Sequence, residues 1–291
     1  MKKLNEKEII RIFRQKKNIA EDVELFHLGK ELCAANIDTL VESTDIPAKS
    51  DLVDIARKSV VSSVSDFAAK GIIPKFCIIS VTIPKTLSKN QITKMATGFR
   101  KACDEFDLEF LGGDTNEGKE IVIHVVLFGK AGKIVTRSGA KNGDVIITTG
   151  PFGYTSSALQ ILLKKKKSTK KFSNIAKTKF FHPIPRLKFG ISCKNLLSSS
   201  IDSSDGLSSC LQELSTSSKK RFVITKFPVK DDVRDFVSMN KLDLKDIILN
   251  GGEEFELVCT VPSKNLEKVK RNAKKLKVDL YEIGIVTRGK D

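Results

Sequence analysis

The sequence has few of the side chains on which several common classes of site depend. It contains no tryptophan, two tyrosines and three histidines in 291 residues. The histidines, at positions 27, 124 and 182, are too few and too scattered for a histidine-based metal site. Platforms that stack nucleic-acid bases need aromatic side chains, so the shortage of aromatic residues argues against nucleic-acid binding.

Long apolar runs and paired cysteines are also missing. No run approaches the ~18 uninterrupted apolar residues of a membrane-spanning helix. The first 24 residues are charged throughout and have no apolar core of a signal peptide. The six cysteines form no C-x-x-C pair. We therefore expect a cytoplasmic protein with no membrane partner, whose thiols are reduced and mostly buried.

Lysine, by contrast, is abundant. Lysine and arginine number 51 against 35 acidic residues, which gives a net charge of +16. Such an excess favours phosphate-bearing partners, among them nucleotides. The densest cluster, KKKKSTKK at 164–171, is typical of a solvated loop, although a functional basic patch remains an alternative.

The order of apolar patterns predicts an α/β protein of two domains. A helical pattern over 51–70 and strand-like runs such as 76–84 alternate along both halves. The segment 132–142 separates the halves, and we place the domains at 1–135 and 136–291. A charged helix is also predicted over 4–17.

Acidic residues stand where the predicted strands or apolar runs meet glycine and serine turns, in spite of the positive net charge. They are Asp22, Asp38, Asp66, Asp114, Asp202, Asp205, Glu253 and Glu254. Carboxylates that converge from several loops can hold Mg²⁺, which also serves substrate phosphates. Simpler interpretations stay open: GGDTN (112–116) as a plain turn, Asp202 and Asp205 as helix caps, and NGGEEFEL (250–257) as a strand-entry turn.

The motifs in this order resemble the thiamine-monophosphate kinase family, within the aminoimidazole-ribonucleotide-synthetase-like superfamily. The matching stretches are NIDTLVE (36–42), SDFAAKGIIP (65–74), GGDTN (112–116), TRSGAKNGD (136–144), TGPFG (149–153), HPIPR (182–186), IDSSDGL (201–207) and GGEEFEL (251–257). The resemblance implies an α/β (α+β) fold of two domains. The N-terminal domain would contain a mixed sheet and form a homodimer, and the C-terminal domain would be of the α/β type.

The resemblance also implies an activity. ATP and several Mg²⁺ ions would lie between the domains, and thiamine monophosphate would be phosphorylated to thiamine diphosphate by direct in-line transfer. One alternative is another ATP-dependent enzyme of the superfamily with a different acceptor. Another is a non-catalytic nucleotide- or RNA-binding relative, against which the full set of carboxylates argues.

The same resemblance assigns roles to individual residues. The implied metal ligands are Asp22, Asn36, Ile37, Asp38, Asp66, Asp114, Asp202 and Asp205, and among them Asp38, Asp66 and Asp114 would be catalytic. The implied ATP contacts are Gly113, Asp114, Arg137 and Ser204, and the implied substrate contacts are Asp45 and Glu253. Asn36 and Ile37 replace the usual Ser-Thr, so Ile37 could ligate only through its backbone.

Overall fold

Two five-stranded sheets organise the chain, one on each side of residues 132–142. The computed structural model describes residues 6–13 and 21–289. The helix predicted over 4–17 is present over Glu6–Phe13, and the rest of that prediction lies outside the described residues. The first half comprises α1 (Glu6–Phe13), β1 (Glu24–Leu28), β2 (Glu31–Val41), α2 (Glu42–Asp45), α3 (Leu52–Lys70), β3 (Phe76–Pro84), α4 (Lys89–Phe106), β4 (Glu109–Gly118) and β5 (Val122–Lys130).

The first sheet has the strand order β1-β2-β5-β3-β4. Strands β3 and β4 are parallel and the other pairs are antiparallel, which confirms the predicted mixed sheet. Alternate residues of β5, including Ile123, Val125 and Leu127, are fully buried in the same core as residues of α3 and α4. The residues between them therefore lie on the opposite, open face of the sheet.

The second sheet is antiparallel throughout, with the order β7-β9-β6-β10-β8. Helices interleave with its strands, and the predicted α/β class is confirmed. The domain boundary at 135/136 stays a prediction. The second half comprises β6 (Val145–Thr148), α5 (Tyr154–Lys164), α6 (Lys170–Phe181), α7 (Leu187–Cys193), β7 (Ser199–Asp202), α8 (Leu207–Ser218), β8 (Arg221–Ile224), α9 (Asp231–Met239), α10 (Leu244–Leu249), β9 (Leu257–Val261), the 3₁₀ turn Ser263–Asn265, α11 (Leu266–Lys275) and β10 (Tyr281–Thr287).

Helix α3 is shared by the two halves. Its residues Ile55 and Val60 belong to the core of the first sheet, whereas Ala68 belongs to a core formed with α7 and β9. Close packing against α7 depends on Gly190, where an added Cβ would lie 1.9 Å from the Ala68 carbonyl oxygen. The helix ends at Gly71, which adopts φ 66°. Because α3 contacts both halves, any side chain near its C-terminal end lies at their junction.

Helix α6 begins within the lysine-rich segment 164–171, which the sequence presents as a solvated loop, and continues to Phe181. It begins directly after Thr169, whose side chain accepts a hydrogen bond from the Phe172 backbone N–H. Phe172, Ala176 and Phe180 follow at intervals of four and are buried. Lys170 and Lys171 precede Phe172, and Lys177 and Lys179 lie between Ala176 and Phe180, so lysines hide the apolar pattern.

Two expectations about the environment of the chain can be compared with the structure. Within residues 6–13 and 21–289, no helix combines the length and apolar character needed to cross a bilayer. All six cysteines are free, and all except Cys33 are buried. The prediction of mostly buried thiols is therefore correct.

Candidate active site

Three aspartates from distant parts of the chain converge at the junction of the halves. Asp22 precedes β1, Asp66 lies on the last turns of α3, and Asp202 ends β7. Each offers a carboxylate oxygen, and these oxygens lie within 4.8 Å of one another. Asp38 of β2 is close enough that the charges of Asp22 and Asp66 interact with its own. The fold therefore brings together four of the predicted metal ligands.

Burial makes these carboxyl groups reluctant to ionise. It raises the pKa of Asp66 well above the usual range, and the neighbouring Asp202 and Asp38 carboxylates add to the rise. Burial likewise raises the pKa of Asp202 to about 7, helped by the Asp22 carboxylate. Burial also raises the pKa of Asp38, and the Asp22 carboxylate adds to the rise, although the nearby Ser63 and Ser62 hydroxyls favour the ionised form. Added positive charge is needed to keep the whole cluster ionised at neutral pH.

The protein itself supplies two cations, and both are directed at Asp22. Lys70 is fully buried; its Nζ lies 2.7 Å from Asp22 Oδ2 and 2.5 Å from Glu21 Oε2. Arg137 Nε donates to Asp22 Oδ1 at 3.0 Å. Both oxygens of Asp22 therefore face cations, whereas the remaining carboxylates of the cluster have far less compensation.

Among the described residues, four oxygen atoms at the cluster are buried without a hydrogen-bond partner: Asp22 Oδ2, which faces Lys70, and Asn36 Oδ1, Asp38 Oδ2 and Ser65 Oγ. The side-chain amide of Asn36 donates to Asp66 Oδ2 at 2.8 Å and to the Ser63 carbonyl at 3.0 Å. In the described part of the chain, Asn36 Oδ1 and Asp38 Oδ2 have no hydrogen-bond partner. Buried polar oxygens normally find a donor or a cation. An unpaired amide oxygen and an unpaired carboxylate oxygen are ligands that a hard cation such as Mg²⁺ prefers.

A cleft of about 470 Å³ opens beside Asp38, between the two halves. Its residues include three of the six predicted for substrate and nucleotide: Asp45, Ser204 and Glu253. Asp45 takes part and also accepts a hydrogen bond from the Val41 backbone N–H at 2.7 Å. The cleft is lined by Ile37, Asp38, Thr39, Leu40, Asp45, Lys58, Ser59 and Ser62 of the first half and by Ser204, Asp205, Glu253 and Phe255 of the second.

The GGEEFEL loop is held in place by two buried acids. Glu256 forms a two-point ion pair with Arg186 of HPIPR, in which Arg186 Nε lies 2.6 Å from Oε2, and Thr149 Oγ1 donates to it at 2.7 Å. Glu254 accepts hydrogen bonds from the backbone N–H groups of Gly153 and Thr155, where α5 begins. HPIPR, TGPFG and GGEEFEL therefore form one interlocked unit that leaves Glu253 at the cleft.

The GGDTN segment is part of strand β4, not the turn that the sequence suggests. Gly113 pairs with Ile79 of β3, and an added Cβ would lie 1.6 Å from the Ile79 carbonyl oxygen. Across the sheet, Asp38 is aligned with Val125, Val125 with Ile79, and Ile79 with Gly113. Three strand spacings, about 14 Å, therefore separate Asp38 from Gly113.

Asp114 also lies on the wrong face of the sheet to join the cluster. It is aligned with Ser80 of β3 and, through it, with His124 of β5. Ser80 and His124 alternate with buried core residues along their strands, so the aligned residues Asp114, Ser80 and His124 lie on the open face. Asp114 is exposed there, and Asn116 Nδ2 is 3.2 Å from its Oδ2. Within one chain, Asp114 therefore does not join Asp38 and Asp66, and its predicted role at the metal site stays a prediction.

Comparison with known proteins assigns this arrangement to a family. Residues 20–131 match the model for the N-terminal domain of AIR synthase related proteins, and residues 141–291 match the model for the C-terminal domain. The thiamine-monophosphate kinase of Nitrosopumilus maritimus is 50% identical over 100% of this chain and 93% of its own length. That of Pyrococcus horikoshii is 35% identical over 92% and 86%. This chain belongs to the thiamine-monophosphate kinase family.

Comparison with solved structures agrees with this family assignment. A solved structure described as AaThiL complexed with AMPPCP and TMP superposes with a TM-score of 0.88 at 24% identity, over 98% of this chain and 91% of that one. At this identity the superposition establishes the fold. The predicted superfamily resemblance and the predicted enzyme class are confirmed.

Most of the site residues predicted for a thiamine-monophosphate kinase are brought together. Arg137 and Asp22 are paired at the cluster, and Ser204 and Asp205 lie at the cleft. Helix α8 begins after Gly206 without a side-chain cap, so capping does not explain Asp202 or Asp205. Gly113 and Asp114 are the two residues that the structure does not bring to the site.

Sequence reasoning missed five charged residues of this region: Glu21, Lys58, Lys70, Arg186 and Glu256. Three of them belong to motifs quoted above: Arg186 is part of HPIPR, Glu256 of GGEEFEL and Lys70 of SDFAAKGIIP. Lys58 had one available signal, because it interrupts a helix whose residues are otherwise largely apolar or small.

Proposed function

We propose that this protein transfers the terminal phosphoryl group of ATP to the phosphate of thiamine monophosphate, with ADP and thiamine diphosphate as products. The observation that carries the proposal is the buried carboxylate cluster beside a two-sided cleft, in a chain 50% identical over its full length to a kinase named for this substrate. Phosphoryl transfer depends mainly on positioning and charge neutralisation, and the cleft and the cluster suit those two tasks.

The donor set fits Mg²⁺. Asp38, Asp66 and Asp202, with the amide oxygen of Asn36, would hold it, since their oxygens are buried and insufficiently compensated. When bound, Mg²⁺ would offset the repulsion between donor and acceptor phosphates. Asp22 contributes less to metal binding in this proposal, because Lys70 and Arg137 already face both its oxygens.

The acceptor explains why the site needs no general base. A phosphate monoester is already anionic at neutral pH, so no proton has to be removed before it attacks. His182 is not among the residues lining the cleft and instead lies 3.3 Å from Asp54 of α3. The role of this histidine is to dock HPIPR onto α3, where Arg57 also donates to the Pro183 carbonyl at 3.0 Å.

The test is ADP formation by the purified protein with ATP and Mg²⁺, in the presence and absence of thiamine monophosphate. We expect turnover only with the monophosphate, and a loss of about 100-fold or more in kcat for Asp66→Asn and Asp202→Asn, since each removes a charge that acts in the transition state. Asp107→Asn is the matched control, because Asp107 is exposed and its one ion-pair partner within the described residues is Lys75, at 2.5 Å. Acceptor-independent turnover, or full activity of Asp66→Asn and Asp202→Asn, would contradict the proposal.

We further propose that the working form is a homodimer in which Asp114 and Gly113 act on the site of the other subunit. Both are on edge strand β4, about 14 Å from Asp38, and Asp114 lies on the open face. Apolar residues are exposed on the outer strands of the same sheet, among them Leu25, Phe26, Phe110 and Leu111. An exposed apolar sheet of this kind is suited to pairing with a second copy.

A further inference from the structure

Lys58 is the one cation among the described residues that line the cleft, yet it has almost no contact with solvent. Its side chain is 2% exposed, and its Nζ lies 2.7 Å from Glu253 Oε1. The Phe180 ring of α6 covers the other side of the ammonium, with 3.8 Å between Nζ and the ring centroid. The ammonium is thus held by an ion pair with Glu253 on one contact and by a cation–π contact with Phe180 on another.

Glu253, in contrast, is 29% exposed and faces the cleft. Its backbone is fixed in the left-handed region at φ 63°, and its N–H donates to the Ser204 carbonyl at 2.7 Å. Lys58 holds one carboxylate oxygen. Among the described residues no other side chain donates to this carboxylate, so the second oxygen is available for a ligand.

We propose that Lys58 is a positioning residue for the acceptor: it fixes and neutralises the Glu253 carboxylate, which in turn accepts a hydrogen bond from an N–H group of the acceptor. The inference rests on the proposed function and extends it to a residue with no role assigned so far. Because the Lys58–Glu253 ion pair carries no net charge, it would present the acceptor with a hydrogen-bond acceptor of fixed direction and would add no net negative charge to the cleft. Lys58 acts only through Glu253, and removal of either partner disables the same contact.

The experiment is a double-mutant cycle with Lys58→Met, Glu253→Gln and the combined variant, assayed with thiamine monophosphate at saturating ATP and Mg²⁺. We expect each single variant to raise the KM for thiamine monophosphate by about tenfold or more, since a hydrogen bond to a charged group is lost. The kcat and the KM for ATP should change by less than about threefold, because neither depends on this contact. The combined variant should match a single variant, since both changes remove one contact.

The matched control is the pair Lys75→Met and Asp107→Asn, an ion pair on the surface of the same half. It should leave every kinetic constant unchanged. Lys58→Met leaves a carboxylate without its cation and can weaken folding, so thermal melting accompanies each assay. The combined variant removes both charges, and its comparison with Glu253→Gln decides the question even if Lys58→Met does not fold.

Two results would overturn the inference while the proposed function stood. In one, the fold increase in the KM for thiamine monophosphate of the combined variant equals the product of the increases in the two single variants, or the KM is tenfold or more above that of Glu253→Gln. The other is a loss of kcat with unchanged KM for thiamine monophosphate. If the wild-type protein itself shows no turnover with thiamine monophosphate, the proposed function fails first and the inference with it.

Discussion

Glu254 is a carboxyl group enclosed by protein next to the candidate site. Burial raises its pKa to about 7, although the backbone N–H groups of Gly153 and Thr155 donate to it and favour the ionised form. In the unfolded chain the same group ionises near its ordinary value of 4.5. Between these two values the folded protein retains a proton that the unfolded chain has lost.

The consequence for stability has a definite sign. Because the folded state binds more protons between about pH 4.5 and 7, the free energy of unfolding should fall as pH rises through this window, by up to about 3 kcal/mol from this group alone. Glu254→Gln keeps a side-chain oxygen that can accept a hydrogen bond from the Gly153 N–H, but it cannot ionise. This variant should therefore reduce the pH dependence of the free energy of unfolding. Urea unfolding at pH 5.5 and 8 measures the effect, with the exposed Glu267→Gln as the control. An unchanged pH dependence in Glu254→Gln would refute the argument.

At the residue scale, the sequence identifies acids better than it identifies their partners. Asp66 and Asp202 are recognisable because each lies in a motif next to a turn or a helix end. Lys58 and Lys70 are not, because a lysine within a helix is nearly always solvated and only the packing of other elements encloses it. Their burial depends on Phe180 and on the Ser200 carbonyl, both more than a hundred residues away.

Helix α6 offers a test at the scale of one element. Thr169 caps its first turn, so Thr169→Ala should lower the free energy of unfolding by about 1 kcal/mol. Ser168→Ala is the matched control, because Ser168 precedes the cap and α6 does not use its hydroxyl as the cap. Urea unfolding followed by far-ultraviolet circular dichroism compares the two. Equal losses in the two variants would show that the cap has no special contribution.

The elements that sequence patterns missed share one cause. Lysines before Phe172 and between Ala176 and Phe180 conceal the apolar face of α6. The two glycines of GGDTN resemble a turn although they lie within β4. In both cases tertiary contacts determine the secondary structure. The helix buries a narrow row of apolar side chains, and the strand pairs closely with β3. The helix over 51–70 was predictable because its apolar pattern is broad and both ends are marked.

At the scale of the whole molecule, the dimer proposal can be tested by complementation. Asp114→Asn and Asp202→Asn subunits, each of which we expect to be inactive alone, are co-expressed and purified together without selection for mixed dimers. If Asp114 serves the site of the other subunit, each mixed dimer has one intact site, and random mixing should recover about a quarter of wild-type activity.

The control mixes Asp66→Asn with Asp202→Asn, whose side chains belong to the same chain's cluster. Every site in that mixture lacks one of the two aspartates, so no activity should return. Absence of recovery in the Asp114→Asn and Asp202→Asn mixture as well would show that Asp114 does not act across the dimer.

The position of α3 restricts how the molecule can move. Its early turns are embedded in the core of the first sheet, and Ala68 and Ala69 are embedded in a core of the second half. A hinge rotation of one half against the other would pull apolar side chains out of one of these cores. We therefore expect the two halves to move little against each other, and the carboxylates at their junction to keep the separations that the fold gives them. Adjustment to a ligand would then fall to the short loops at the rim of the cleft.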